Sequence, residues 1–154
     1  MMNNDVLRSL RYTLKLNNQD MVAILALADS AIPVEQMASY LLKEDEEGFV
    51  VCPDILMSNF LNGLIYHKRG KDESMPPLKA DRRMNNNIIL KKLRVAFTLK
   101  SDDILDILTS QQFRISMPEI TAMMRAPEHK NYRECGDQFL RYFLRGLTAR
   151  VRQP

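Results

Sequence analysis

The feature that most restricts this chain is that it says the same thing twice. Asp54-Ile-Leu-Met-Ser-Asn-Phe-Leu-Asn-Gly-Leu64 returns 83 residues later as Asp137-Gln-Phe-Leu-Arg-Tyr-Phe-Leu-Arg-Gly-Leu147. At that offset Asn3–Gly70 aligns with Asn86–Gln153 without a gap. Identities include Asn3/Asn86, Leu7/Leu90, Leu10/Leu93, Arg11/Arg94, Asp20/Asp103, Ile24/Ile107, Cys52/Cys135, Asp54/Asp137, Phe60/Phe143 and Gly63/Gly146. Positions shared by two copies serve architecture, because each unit must bury the same faces. Positions that differ are where a function can reside.

Each copy reads as four helices. In the first, Leu7, Leu10 and Leu14 form an apolar stripe at helical spacing, opened by Asn3 or Asn4 as cap. Gln19 to Ala28 forms the second helix, and Pro33 begins a third that runs to about Lys43. The fourth starts near Pro53 or Asp54 and ends before Gly70. Its ridges, Leu56-Phe60-Leu64 and Met57-Leu61-Ile65, make a band wide enough to meet more than one neighbour. Gly63 and Gly146 each fall inside that last helix, where glycine costs ~1 kcal/mol against alanine, so they point to the close approach of another helix. In the second copy Ser101 caps the second helix, and Ser116-Met-Pro-Glu119 has the form of a capping box. The expectation is an all-α protein of two tandem pseudo-symmetric four-helix repeats. Repeat one is 1–70, repeat two is 85–154, and 71–84, with Pro76-Pro77, is the linker.

The totals set bounds. A chain of 154 residues hides about 70% of its unfolded surface and needs neither metal nor disulfide to fold. Two cysteines in such a core suggest a reducing compartment, the N-terminus shows no apolar signal region, and no uncharged run is long enough to span a membrane. The expected location is the cytoplasm, with no membrane partner and no cofactor.

Asn4-Asp-Val-Leu-Arg-Ser-Leu-Arg-Tyr12, Phe60-Leu-Asn-Gly-Leu-Ile65 and His129-Lys-Asn-Tyr-Arg-Glu-Cys-Gly-Asp-Gln-Phe-Leu140 together resemble the YehS-like bacterial proteins over essentially the full chain. That resemblance implies a duplicated domain of unknown function. It supplies no activity and no catalytic residues.

Charge separates the copies. Residues 1–68 hold five Lys/Arg against nine Asp/Glu, a balance of −4, while 86–154 hold twelve against seven, a balance of +5. Ser58 becomes Arg141, Asn62 becomes Arg145, Val50 becomes Arg133 and Glu47 becomes Lys130. Arg141 and Arg145 stand one turn apart on the fourth helix, with Arg152 further along, and His129, Lys130, Tyr132 and Arg133 lie in the loop that feeds it. Guanidinium groups beside an aromatic ring suit phosphate backbones and single-stranded bases. These seven residues form the candidate binding site, for RNA, DNA or an acidic protein. A solvated face, with Asp137 and Arg141 paired at i and i+4, is the alternative.

Four other readings compete. The Met-rich surface of the third and fourth helices, including Met37, Met123 and Met124, suits an adaptor or homo-oligomer, although core packing accounts for it as well. Cys135 with His129 resembles a thiol–base pair, yet Glu46 replaces His129 in the first copy and the spacing fits no zinc site. A helix–turn–helix DNA reader would use the third helix, which in copy one is nearly free of basic residues. Finally, Arg11/Arg94 with Asp20/Asp103 or Asp54/Asp137 suggests an internal Arg–Asp clasp in each copy, and two equivalent anion sites are the rival reading.

Overall fold

The computed structural model describes residues 1–153. Among these the chain forms eight helices and no strand: α1 (Asn3–Thr13), α2 (Asn18–Ala26), α3 (Val34–Leu41), α4 (Asp54–Arg69), α5 (Asn86–Ala96), α6 (Ser101–Ser110), α7 (Met117–Met123) and α8 (Asp137–Val151). Residues 71–84 contain no helix.

The two repeats do not stand side by side as separate bundles. Buried residues of both belong to one continuous core, from Val6, Leu7 and Leu10 through Phe60 and Leu64 to Phe143 and Leu147. The first helix of each repeat packs chiefly on the last helix of the other, α1 on α8 and α5 on α4. Within a repeat, α2 packs on α3 and α4, and α6 on α7 and α8. A pseudo-two-fold axis therefore relates intertwined halves, much as in a dimer whose subunits have been joined.

All four central helices start at the same end. The Met1 ammonium meets Asp137 Oδ2 at 2.8 Å, while near the far end Thr13 and Thr148 share a hydrogen bond of 2.6 Å. Likewise the Met84 amide donates to Asp54 Oδ2 at 3.1 Å, and Arg69 at the far end donates to Val95 O at 3.3 Å. Asn3 Nδ2 donates to Asp54 and Asn86 Nδ2 donates to Asp137, closing the ring of N-termini. Four positive helix ends are thus gathered together, and first-turn carboxylates on α1, α4 and α8 (Asp5, Asp54 and Asp137) offset them. At the opposite end Arg69, Arg94 and Arg152 donate to backbone carbonyls.

The glycines do what their positions require. A Cβ on Gly63 would lie 2.1 Å from Ile24 O, and one on Gly146 would lie 2.6 Å from Ile107 O. The contacts of α4 on α2 and α8 on α6 are possible only with hydrogen at these positions.

Several boundaries differ from the sequence expectation. Asn3 and Ser101 are first helical residues, preceded by Met2 and Lys100 as caps, because Asp5 and Asp103 reach back to the Met2 and Lys100 amides. α2 stops at Ala26, since Asp29 adopts φ 58° and the Ser30 amide returns to Leu25 O. α6 ends the same way, with Gln112 at φ 60° and the Phe113 amide on Leu108 O. α3 stops at Leu41 because Leu42 is already extended.

Candidate ligand-binding face

α8 places its side chains in two bands. Phe139, Leu140, Phe143, Leu144 and Leu147 are buried, and the opposite side carries Arg141 and Arg145, both exposed. Among the described residues neither guanidinium has a carboxylate within ion-pair distance. Arg141 donates to Gln138 Oε1 at 3.0 Å. Asp137, its expected partner at i−4, is engaged by the Met1 ammonium and Asn86, and these, in that order, hold its carboxyl below the usual range with a smaller contribution from Arg141. Arg145 lies over the Tyr142 ring, 5.0 Å from its centre.

Tyr142 leans in turn on Phe113 with centroids 5.4 Å apart, and Phe113 meets the buried Phe139 edge-on at 5.8 Å. Phe113 and Tyr142 border a surface cavity of about 520 Å³ whose remaining rim includes Gln112, Arg114 and Arg145. Two guanidinium groups and two aromatic rings thus share one concave surface. Phe113, Arg114 and Tyr142 were not among the sequence candidates. The signal was present: they stand where the first copy has Ser30, Ala31 and Asn59.

The seven sequence candidates do not form one cluster. His129 and Lys130 are exposed in the loop before α8, where His129 Nδ1 accepts from the Asn131 amide at 3.0 Å. Tyr132 is half-buried beside Asn85, Asn86, Asn87 and Glu134 at the helix-start end of the molecule. Arg133 is paired with Glu119. Arg152 lies at the other end of α8, about 22 Å of helix away from Asp137. There it donates to Tyr12 O at 2.6 Å and covers the Tyr12 ring. Arg69 does the same for α5 through Val95 O, so Arg152 holds an architectural position that both copies use. Arg141 and Arg145 alone of the seven share the cationic side of α8.

The matching side of α4 is sealed. Ser58 and Asn62, the counterparts of Arg141 and Arg145, are 0% exposed because the linker lies over them. Ser58 Oγ bonds the Asp81 side chain and accepts from its amide at 2.8 Å. Asn62 Nδ2 donates to Lys79 O at 3.1 Å, and its oxygen accepts from Lys92 Nζ at 2.6 Å. The Leu78 amide donates to Tyr66 Oη at 2.8 Å.

Other expectations are corrected or set aside. The Arg–Asp clasp does not form. Asp20 and Asp103 bind the Asn17 and Lys100 amides, Asp54 and Asp137 bind Asn3 and Asn86, and Arg94 Nε donates to Leu99 O. Asp103 also takes Arg150, so one shared carboxylate does form an ion pair, with a different arginine. The thiols of Cys52 and Cys135 are buried, and desolvation, aided by Asp54 and Asp137, pushes both up to about 12. A thiolate nucleophile is therefore not available near neutral pH. What both copies keep is a second buried contact: Asn4 and Asn87 each donate to two carbonyls and accept the amide of Cys52 or Cys135. No helix is long and apolar enough to cross a membrane, and no group of three His, Cys, Asp or Glu is placed to hold a metal ion, among the described residues.

Comparison with known proteins defines the class first. Residues 3–70 and 86–153 both match the model of a family described as a protein of unknown function (DUF1456). The chain belongs to that family, whose repeated unit is the one traced here. It is 72% identical over 150 residues, 97% of this chain and 96% of its relative, to the uncharacterized protein YehS of Escherichia coli (strain K12). No solved structure matches.

Proposed function

We propose that this protein is a binding module for nucleic acid, which it holds on the cationic side of α8. One observation carries the reading. The side of α4 that repeat one seals beneath its linker has an exposed counterpart on α8, and there Ser58 and Asn62 are replaced by Arg141 and Arg145. Two guanidinium groups without carboxylate partners, one helical turn apart beside Tyr142, Phe113 and Arg114, offer phosphate contacts next to flat rings. Arg133, engaged by Glu119, and Arg152, engaged by Tyr12, are not part of this surface.

The reading is tested by fluorescence anisotropy with labelled RNA and DNA oligonucleotides between 50 and 200 mM salt. Affinity should fall steeply with salt, and Arg141→Ala with Arg145→Ala should flatten that slope by about two. Binding that ignores both salt and the double variant rejects it. In that case concentration-dependent mass would favour the adaptor or homo-oligomer.

A further inference from the structure

The linker is a segment of chain already bound to one of two related faces, and it shows how the other can be used. Lys71 starts its path at the turn after α2, where Nζ donates to Leu27 O at 3.3 Å. The path continues through Leu78 on Tyr66, Lys79 on Asn62 and Asp81 on Ser58, and ends with the Met84 amide on Asp54. Shifted by 83 residues, the same path runs from the turn after α6, past Ala149, Arg145 and Arg141, to Asp137. Its end coincides with the Met1 ammonium, which meets Asp137 as the Met84 amide meets Asp54. Its beginning is the cavity of Phe113, Arg114, Tyr142 and Arg145.

We infer that a single strand of nucleic acid follows this path over α8, with its phosphates on Arg141 and Arg145 and one unstacked base in the Phe113–Arg114–Tyr142 cavity. This inference rests on the nucleic-acid reading above and goes further by specifying the form of the ligand. Hydrogen-bond chemistry separates it from a peptide. A polypeptide presents both N–H and C=O groups, and α4 answers both: Ser58 Oγ and Tyr66 Oη accept amides, and Asn62 Nδ2 donates to a carbonyl. On α8 those groups become Arg141, Ala149 and Arg145. Guanidinium groups only donate and alanine has no polar group, so the acceptors that held the Leu78 and Asp81 amides are gone, and the one retained, Asp137, is taken by the Met1 ammonium. A phosphodiester backbone offers acceptors alone, and it matches a row of donors.

Shape separates a single strand from a duplex. The path on α4 admits one extended chain. The rings beside it can receive a base only when that base has left its stack. Tyr142 touches Phe113 at a tilt and lies near the Arg145 guanidinium, contacts that orient its ring at the cavity rim. Arg114 then stands at the cavity rim for the adjoining phosphate.

The test uses the full chain with oligonucleotides of one length, single-stranded and duplex, at low salt. Single strands should bind at least about tenfold more tightly than duplex, within the range expected for stacking of one base. Arg114→Ala, an exposed position, should weaken single-strand binding more than duplex binding and so shrink that preference. A 2-aminopurine base in the strand should lose fluorescence on binding to the native protein and keep it with Tyr142→Ala, or with Arg114→Ala if Tyr142→Ala fails to fold by circular dichroism. Equal affinity for both forms, still sensitive to Arg141→Ala with Arg145→Ala, overturns the single-strand path and leaves the cationic face standing. Failure to bind either form, with capture of polyglutamate instead, overturns both.

Discussion

α4 and α8 descend from one helix pattern and have been put to opposite uses on their outer sides. Both bury a phenylalanine at the same point, Phe60 and Phe143, and both bring a glycine against a neighbouring carbonyl. Outside, α4 carries short polar groups that are consumed by the linker, and α8 carries long cations that are exposed. The difference teaches that one helix face, shared by two copies, can be sealed by a covering segment in one and lie open in the other.

Substitutions can break or sharpen this comparison. The largest effect is expected where the copies agree. Gly63→Ala should destabilise by about 3 kcal/mol and Gly146→Ala by about 2, measured by urea unfolding, since the added methyl meets a backbone oxygen in both. The order follows the closer approach at Gly63. Where the copies differ, Asn62→Ala should cost about 1–2 kcal/mol by stripping partners from Lys92 and Lys79. Arg145→Ala, at the matching position, should stay within about 0.5 kcal/mol. Equal costs at these two positions would end the contrast between a sealed and an open face.

A smaller effect concerns the turns after α1 and α5. Lys15 has φ 55° and Thr98 has φ 53°, and the Leu16 and Leu99 amides return to Arg11 O and Arg94 O. A β-branched residue is poorly suited to that conformation, so Thr98→Gly should raise stability by about 1 kcal/mol and Lys15→Gly by less.

The smallest effect is electrostatic. Asp137 and Asp103 have carboxyls held below the ordinary range, the first by the Met1 ammonium and Asn86, the second by the Lys100 amide and, more weakly, Arg150. A depressed carboxyl contributes stability that is present above its unfolded value and lost as pH falls through its folded one. Unfolding midpoints should therefore drop below about pH 4. Asp137→Asn should soften that acid limb, and an unchanged limb would show that these contacts carry no linked protons.

The sequence made the architecture readable because identities at one offset, set on helical spacing, report burial directly. Phe60/Phe143 and Gly63/Gly146 announced their roles this way. Helix ends were less legible, because Asp5 and Asp103 reach back to amides ahead of them and displace Asn3 and Ser101 from the cap position. The site was half legible. Arg141 and Arg145 stand out as replacements on a known helix face, whereas charge alone groups Arg152 with them even though Arg69 repeats it. Phe113 and Arg114 are not marked by the sequence since they sit after a helix end, where no periodicity shows which way a side chain faces. The intertwining of α1 with α8 was beyond reach, because the apolar stripes fit a partner in either repeat.

The pairing of Met1 and Met84 has one more consequence. One carboxylate receives a charged amine and its counterpart an ordinary peptide N–H, so the same seat accepts either kind of donor. The seam between the repeats can then be relocated. A circular permutant opened at Pro76-Pro77, with Gln153 joined to Met1 through a second copy of the linker, should keep the native core, since Asp137 then receives a peptide N–H as Asp54 does.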